Sequence, residues 1–65
     1  MTDETAERLR MAETAVSDAL AELERARAAR AEAIAGAIRA GWTQARVAEA
    51  LGISFQRVYQ IRSRG

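Results

Sequence analysis

The sequence predicts an all-α protein in which one long N-terminal helix is followed by two short helices. From Asp3 to Ala40 the chain has no proline and a single glycine, Gly36. This stretch is rich in Ala, Glu, Arg and Leu, all of which favour helices. Two shorter segments follow, and each begins at a hydroxyl residue that can cap a helix, Thr43 or Ser54.

The long helix is expected to begin after a cap at Thr2 or Asp3 and to end at Ala40, because Gly41 can adopt the left-handed conformation that follows many helices. At 1.5 Å per residue such a helix would be roughly 57 Å long. The rest of the chain is too short to cover it. Its apolar stripe therefore needs a partner.

That stripe is an apolar seam in which large and small residues alternate at seven-residue spacing, the a/d pattern of helices that pair. The predicted dimer interface consists of Leu9, Ala12, Val16, Ala19, Leu20, Leu23 and Ala26. We therefore expect residues 1–30 to form a coiled-coil-like helical dimerisation arm and residues 31–65 to form a second domain. The alternative is a solvent-exposed arm. A membrane-surface helix is not expected, because the polar face is acidic.

Two arms could pair in either direction, and we favour the antiparallel one. Pairing centred between residues 17 and 18 sets Leu9 against Ala26. In the other layers of the seam a large side chain also faces a small one. It also lays the acidic first half of one helix along the arginines of the other. Parallel pairing keeps some support, because Arg8 would then lie near Glu13 across the seam.

Charge is divided sharply along the chain, although the net charge is only +1. Residues 1–24 contain seven acids and two arginines, a charge of −5, whereas residues 25–65 contain eight arginines and two acids, a charge of +6. An anionic partner should meet the C-terminal part. The alternative is a solvated basic tail.

Composition excludes several classes of function. The chain has no Cys, His or Pro, which removes disulfides, thiol and imidazole catalysis and the common zinc sites. No catalytic triad, metal cluster or phosphate-binding glycine loop is present. We therefore expect no enzyme activity, no cofactor and no small-molecule ligand. No apolar run indicates a signal peptide or a membrane span, so a cytoplasmic, nucleoid-associated protein is expected.

The C-terminal third fits two short helices that cross through a tight turn. The first would run from Gln44 to about Leu51 and the second from Phe55 to about Arg62, with Gly52 accepting a positive φ between them. Ala48 must be small where the helices cross. The shared core is predicted to contain Val47, Leu51, Ile53, Val58 and Ile61, on which Ile34, Ala37 and Ile38 of the long helix would pack, with Trp42 at the corner.

These features, from Gln44 to Ile61, resemble the helix-turn-helix superfamily of DNA-binding domains. The segment GISFQRVYQI is most similar to the promoter-reading region of bacterial sigma factors and to small repressors and resolvase-type tails. It departs from the sigma pattern at Phe55, Gln56 and Tyr59, so recognition of a promoter element is not carried over. A structural three-helix module that binds protein is the alternative.

The resemblance implies that the second short helix enters the major groove of double-stranded DNA. Glutamine amides can pair with adenine, and aromatic rings can contact the thymine methyl group. The expected base-reading residues are Ser54, Phe55, Gln56, Tyr59 and Gln60. Arginines and helix N-termini suit phosphate. The expected phosphate contacts are Thr43, Gln44, Arg46, Arg57, Arg62 and Arg64.

The function predicted from the sequence is therefore sequence-specific DNA binding by a homodimer, as a transcriptional repressor or regulator of bacterial, phage or plasmid origin. One small domain makes few phosphate contacts, and a dimer on two half-sites would bind more tightly. The alternative is a protein-interaction module whose acidic arm binds a basic partner and which does not bind DNA.

Overall fold

The computed structural model describes residues 3–64, which form three helices and no strand: α1 (Asp3–Arg39), α2 (Gln44–Leu51) and α3 (Phe55–Arg64). The all-α prediction and the order of one long and two short helices are confirmed. The molecule measures 59 × 19 × 18 Å, because α1 extends far beyond α2 and α3. None of the described helices has the length and apolar character needed to cross a membrane.

The start of α1 is only partly described. Thr2, one of its two predicted caps, lies outside the described residues, as do the outer limits of both predicted domains. Asp3 and Glu4 occupy the first turn, where a carboxylate is favoured by the positive end of the helix.

At its other end α1 stops at Arg39, one residue before the predicted end, and the predicted glycine follows in the turn. Gly41 has a φ of 102°, and its N–H donates to the carbonyl of Ile38 at 3.0 Å. The N–H of Trp42 donates to the carbonyl of Ala37, also at 3.0 Å. This pair of hydrogen bonds satisfies carbonyls that the helix end would leave free, and it turns the chain towards α2.

A small core joins the three helices. Its buried residues are Ile34, Val47, Ala48, Val58 and Ile61, with Ala31, Ala37, Ile38, Trp42 and Ile53 partly buried against them. Val58 is fully buried at the centre. Most of the predicted core is therefore confirmed, and only the last part of α1 contributes to it.

Leu51 is predicted from the sequence to belong to this core, and that prediction is wrong. Its side chain is 45% exposed. Leu51 is the last residue of α2, at the edge of the core, where it lines an open groove together with Ala33, Ala37 and Trp42. Its position four residues after Val47 is correct for the buried face, but none of the three described helices covers that edge.

The first part of α1 extends away from the core that the described residues form. Its large apolar residues are exposed, from Leu23 at 43% to Leu9 at 67%. The exposed set comprises Leu9, Met11, Val16, Leu20 and Leu23. All of these except Met11 belong to the predicted seam, and burying one such side chain fully is worth about 1.5–3 kcal/mol, so the seam is a substantial uncovered apolar surface.

Candidate nucleic-acid interface

Helix α3 is fixed by a cap at its start and by two buried side chains on one face. The N–H of Arg57 donates to Ser54 Oγ at 3.1 Å, which confirms the predicted cap. Val58 and Ile61 anchor the helix in the core. The helix ends at Arg64, two residues later than the sequence indicates. Its remaining face is therefore held outward in a fixed orientation.

The turn before α3 has the geometry that the sequence predicts. Gly52 has φ 71° and ψ 30°, and its N–H donates to the carbonyls of Ala48 and Glu49. The N–H of Ile53 donates to the carbonyl of Ala48 at 3.1 Å. These bonds end α2 and let α3 cross it over the small, buried side chain of Ala48.

The outward face of α3 carries neutral hydrogen-bonding side chains. Gln56, Gln60 and Ser63 recur at the four- and three-residue spacing of one helical face, opposite the buried pair Val58 and Ile61. All three are exposed. Amide and hydroxyl groups can both donate and accept hydrogen bonds, which suits contact with base edges.

Two other predicted base readers have less central positions. Tyr59 is 61% exposed and lies beside the outward face. Phe55 is also exposed, but it shares a flank of α3 with Arg62, seven residues later. The structure thus brings Gln56, Gln60 and Tyr59 together and places Phe55 at the edge. Ser54 is exposed at the start of the helix with its oxygen engaged in the cap.

The opposite flank of α3 is basic and faces α1. Arg57 and Arg64, also seven residues apart, line a cleft of about 420 Å³ between the two helices. Helix α1 contributes Arg27 and Arg30 to the same cleft, and Glu24 is its one acidic lining residue. Arg27 is paired with Glu24 at 3.1 Å, so three arginines of the cleft are left without a carboxylate partner among the described residues.

Ion pairs divide the arginines into two groups of five. All five ion pairs between described residues lie within α1, where each uses a different glutamate; the paired arginines are Arg8, Arg10, Arg25, Arg27 and Arg39. The arginines without a pair among residues 3–64 are Arg30, Arg46, Arg57, Arg62 and Arg64. The positive charge that remains for an external anion is therefore concentrated around α2 and α3.

The three predicted phosphate contacts at the start of α2 are less free than the sequence indicates, because each is hydrogen-bonded, half-buried or stacked within the chain. Thr43 Oγ1 accepts from the N–H of Arg46 at 3.1 Å, which confirms it as a cap. Gln44 is half-buried, and its Oε1 is buried without a hydrogen-bond partner. The guanidinium of Arg46 lies 3.8 Å from the centre of the Trp42 ring, a cation–π contact that keeps the charge exposed while orienting it.

Two residues of this surface are missed by sequence reasoning. Ser63 shares the outward face of α3, and helical spacing from Gln56 would have found it had the helix been extended past Arg62. Arg30 is far from Arg57 in sequence, and only the packing of α1 against α3 brings both to one cleft.

Comparison with known proteins agrees with this geometry. The model of one protein family, described as the homeodomain-like domain, matches residues 19–64, which is 46 of the 65 residues. The match begins within residues 1–30, the segment that we assign to the arm. It therefore includes part of α1 that lies before the α1 residues of the core. No curated protein and no solved structure matches the chain.

Members of this helix-turn-helix family are typically DNA-binding domains without enzyme activity. The fold, the glycine turn and the outward face of α3 all fit that class. Because the family model covers well over half of the chain, the protein belongs to the homeodomain-like family of helix-turn-helix domains.

Proposed function

We propose that this protein binds double-stranded DNA sequence-specifically as a homodimer, with α3 in the major groove, and that it acts as a transcriptional repressor or regulator. The observation that carries the proposal is the surface of α3. Its outward face is polar and uncharged, whereas arginines without a carboxylate partner among residues 3–64 lie on both flanks, Arg57 and Arg64 on one and Arg62 on the other.

This distribution suits the two tasks of a DNA-reading helix. Base edges are read by hydrogen bonds from the centre of the helix, and phosphates on the two sides of the groove are held by positive charge. Gln56 and Gln60 are the proposed base readers, with Tyr59 beside them. Arg57 and Arg64 contact one strand and Arg62 the other.

Dimer formation is supported by the exposed seam of α1. A monomer would leave Leu9, Val16 and Leu23 in water, and it would bind DNA through one small domain. Pairing of two arms buries the seam and supplies two reading helices, so that each half-site strengthens the binding of the other. A regulatory role, in the cytoplasm and on the nucleoid, follows from binding of this kind.

The proposal is tested by fluorescence anisotropy of duplex DNA at several salt concentrations. Arg57→Ala should weaken binding to all sequences alike and reduce the slope of log affinity against log salt by about 1 for each subunit, because one phosphate contact is lost. Arg10→Ala is the matched control, since it removes the same charge from a paired arginine of α1. Its slope should equal that of the original protein.

Sequence reading is tested with Gln56→Ala on a pool of randomised duplexes. Loss of a bidentate contact to adenine costs about 1–3 kcal/mol at that position, so the selected sequence should become degenerate at one base pair per half-site. If the original protein bound no DNA at low salt but captured a basic protein partner through its acidic arm, the protein-interaction alternative would replace the proposal.

A further inference from the structure

An open apolar groove lies between α1 and α2, on the side of the core that α3 does not cover. It has a volume of about 170 Å³ and is lined by Arg30, Ala33, Ile34, Ala37, Trp42, Val47, Ala50 and Leu51. Its lining includes the small side chains of Ala33, Ala37 and Ala50, and the exposed side chain of Leu51 forms part of its wall. A groove of this shape accepts a row of larger apolar side chains from another helix.

The groove continues the seam of the arm. Counting in sevens from Leu9 and Val16 leads to Arg30 and Ala37, and counting in sevens from Ala12 leads to Ala33. The three seam positions of α1 beyond Ala26 therefore all line the groove, together with Ile34. A helix that follows the seam of α1 towards its C-terminal end runs directly into the groove.

We propose that this groove holds the N-terminal half of α1 from a second copy of the chain, running antiparallel. The proposal rests on the homodimer proposed above and adds its interface. Each subunit then places its arm between α1 and α2 of the other, so that the helix-turn-helix of one chain takes part in holding the second.

The groove also selects a register. Pairing centred on residue 21 sets Leu9 of one chain against Ala33 of the other, beside Leu51, and sets Val16 against Ala26. The register centred between residues 17 and 18, expected from the arm alone, pairs Leu9 with Ala26 and leaves the groove without a large side chain. Both registers set large residues against small ones, and only the first fills the groove.

Charge supports the same occupant. Arg30 lies in the lining of the groove without an ion pair among the described residues, and its Nε is buried without a hydrogen-bond partner. In the register centred on residue 21 it faces Ala12 of the second chain and lies beside Glu13. Glu13 also takes part in no ion pair among residues 3–64. The symmetric dimer brings these opposite charges together twice.

Disulfide trapping tests the register, because the chain contains no cysteine of its own. Val16→Cys protein is mixed with Ala26→Cys protein under reducing conditions, so that subunits exchange, and is then oxidised with copper phenanthroline. Both positions are exposed, so neither substitution disturbs the core. The expected product is a covalent heterodimer with one Val16→Cys and one Ala26→Cys subunit, identified by its mass.

Each other linkage overturns the proposal. Linkage of Val16→Cys to Ala19→Cys would show the register that leaves the groove empty. Linkage of Val16→Cys to itself would also contradict the proposed register, in which those two positions are roughly 15 Å apart, too far for a disulfide. A protein that stays monomeric and forms no linkage would also refute it.

A second variant tests the groove itself. Leu51→Arg places a charge in the wall of the groove without touching the buried core, and it should raise the dissociation constant of the dimer at least tenfold in sedimentation equilibrium. Ala45→Arg puts the same charge on an exposed position of α2 outside the groove and should leave the dimer unchanged. Equal dimerisation of both variants would overturn the proposal.

These measurements use no DNA. If the linkage forms but the original protein binds no duplex, the dimer interface stands and the proposed function fails. If the protein binds duplex but is linked in another way, the function stands and the interface fails.

Discussion

At the scale of single residues, the turn between α2 and α3 depends on Gly52. Its φ of 71° lies in the left-handed region, where a side chain is strained even though a Cβ there would meet no atom within 4 Å. Gly36, in contrast, lies inside α1 with an ordinary helical backbone. The two glycines therefore have opposite effects on stability.

We expect Gly52→Ala to lower the free energy of unfolding by about 1–2 kcal/mol, from backbone strain alone. Gly36→Ala should raise it by about 0.5–1 kcal/mol, because alanine favours a helix and its Cβ would lie 3.8 Å from Arg39 Nη2, an ordinary contact. Urea unfolding at one fixed protein concentration measures both. Equal effects of the two substitutions would contradict this account of the turn.

At the scale of elements, the two short helices depend on capping as well as on packing. Helices of eight and ten residues are too short to be stable alone in water. Thr43 and Ser54 each satisfy one free N–H at a helix start, and Val47 and Val58 attach the helices to the core. Helix α3 is thus positioned by one hydroxyl and one buried face.

Ser54→Ala should lower the free energy of unfolding by about 1 kcal/mol, because the N–H of Arg57 loses its acceptor. Ser54→Asp should keep the stability, since aspartate is an equally good cap, and in the proposed function it should weaken DNA binding by adding a negative charge beside the outward face of α3. Ser63→Ala, on the exposed end of the same helix, is the control and should change stability by less than about 0.5 kcal/mol. Urea unfolding and anisotropy separate the two roles of Ser54.

In the long helix α1, the interactions between charged side chains contribute little to stability. Its ion pairs are exposed, and pairs of this kind contribute only about 0.2–1 kcal/mol each. Their larger effect is to neutralise five arginines of α1, four of them in the arm. Charge without an opposite partner is thereby left at the end of the molecule that carries α3.

At the scale of the whole molecule, the proposed function assigns dimerisation to the elongated arm and DNA recognition to α3. The core alone buries few residues, and a second chain along the seam would add a larger apolar surface. Dimerisation and DNA affinity are therefore expected to change together when the seam is altered.

Leu23→Arg should give a monomer in sedimentation equilibrium and weaken binding to a two-half-site duplex at least tenfold, because the second half-site no longer belongs to the same complex. Met11→Arg adds the same charge to an exposed residue off the seam and is the matched control. If Leu23→Arg bound DNA as tightly as Met11→Arg, the arm would have no part in recognition.

The sequence by itself determined the three helices, their caps and the glycine turn, because propensity, hydroxyl capping and positive φ are local properties of Thr43, Gly52 and Ser54. It also determined which residues of α3 face inward, since Val58 and Ile61 follow the helical period. These local signals were enough to indicate the helix-turn-helix class, which the family match confirms.

Only the tertiary structure decided which surfaces the helices leave open. Leu51 has the period of a core residue but lies at an uncovered edge, and Arg30 reaches the cleft of Arg57 only because α1 packs against α3. The burial of a side chain, and the distance between charges that are far apart in sequence, depend on how the helices pack. A seven-residue repeat does not show which other helix lies beside it. For that reason the seam was visible in the sequence, and the groove in which it ends was not.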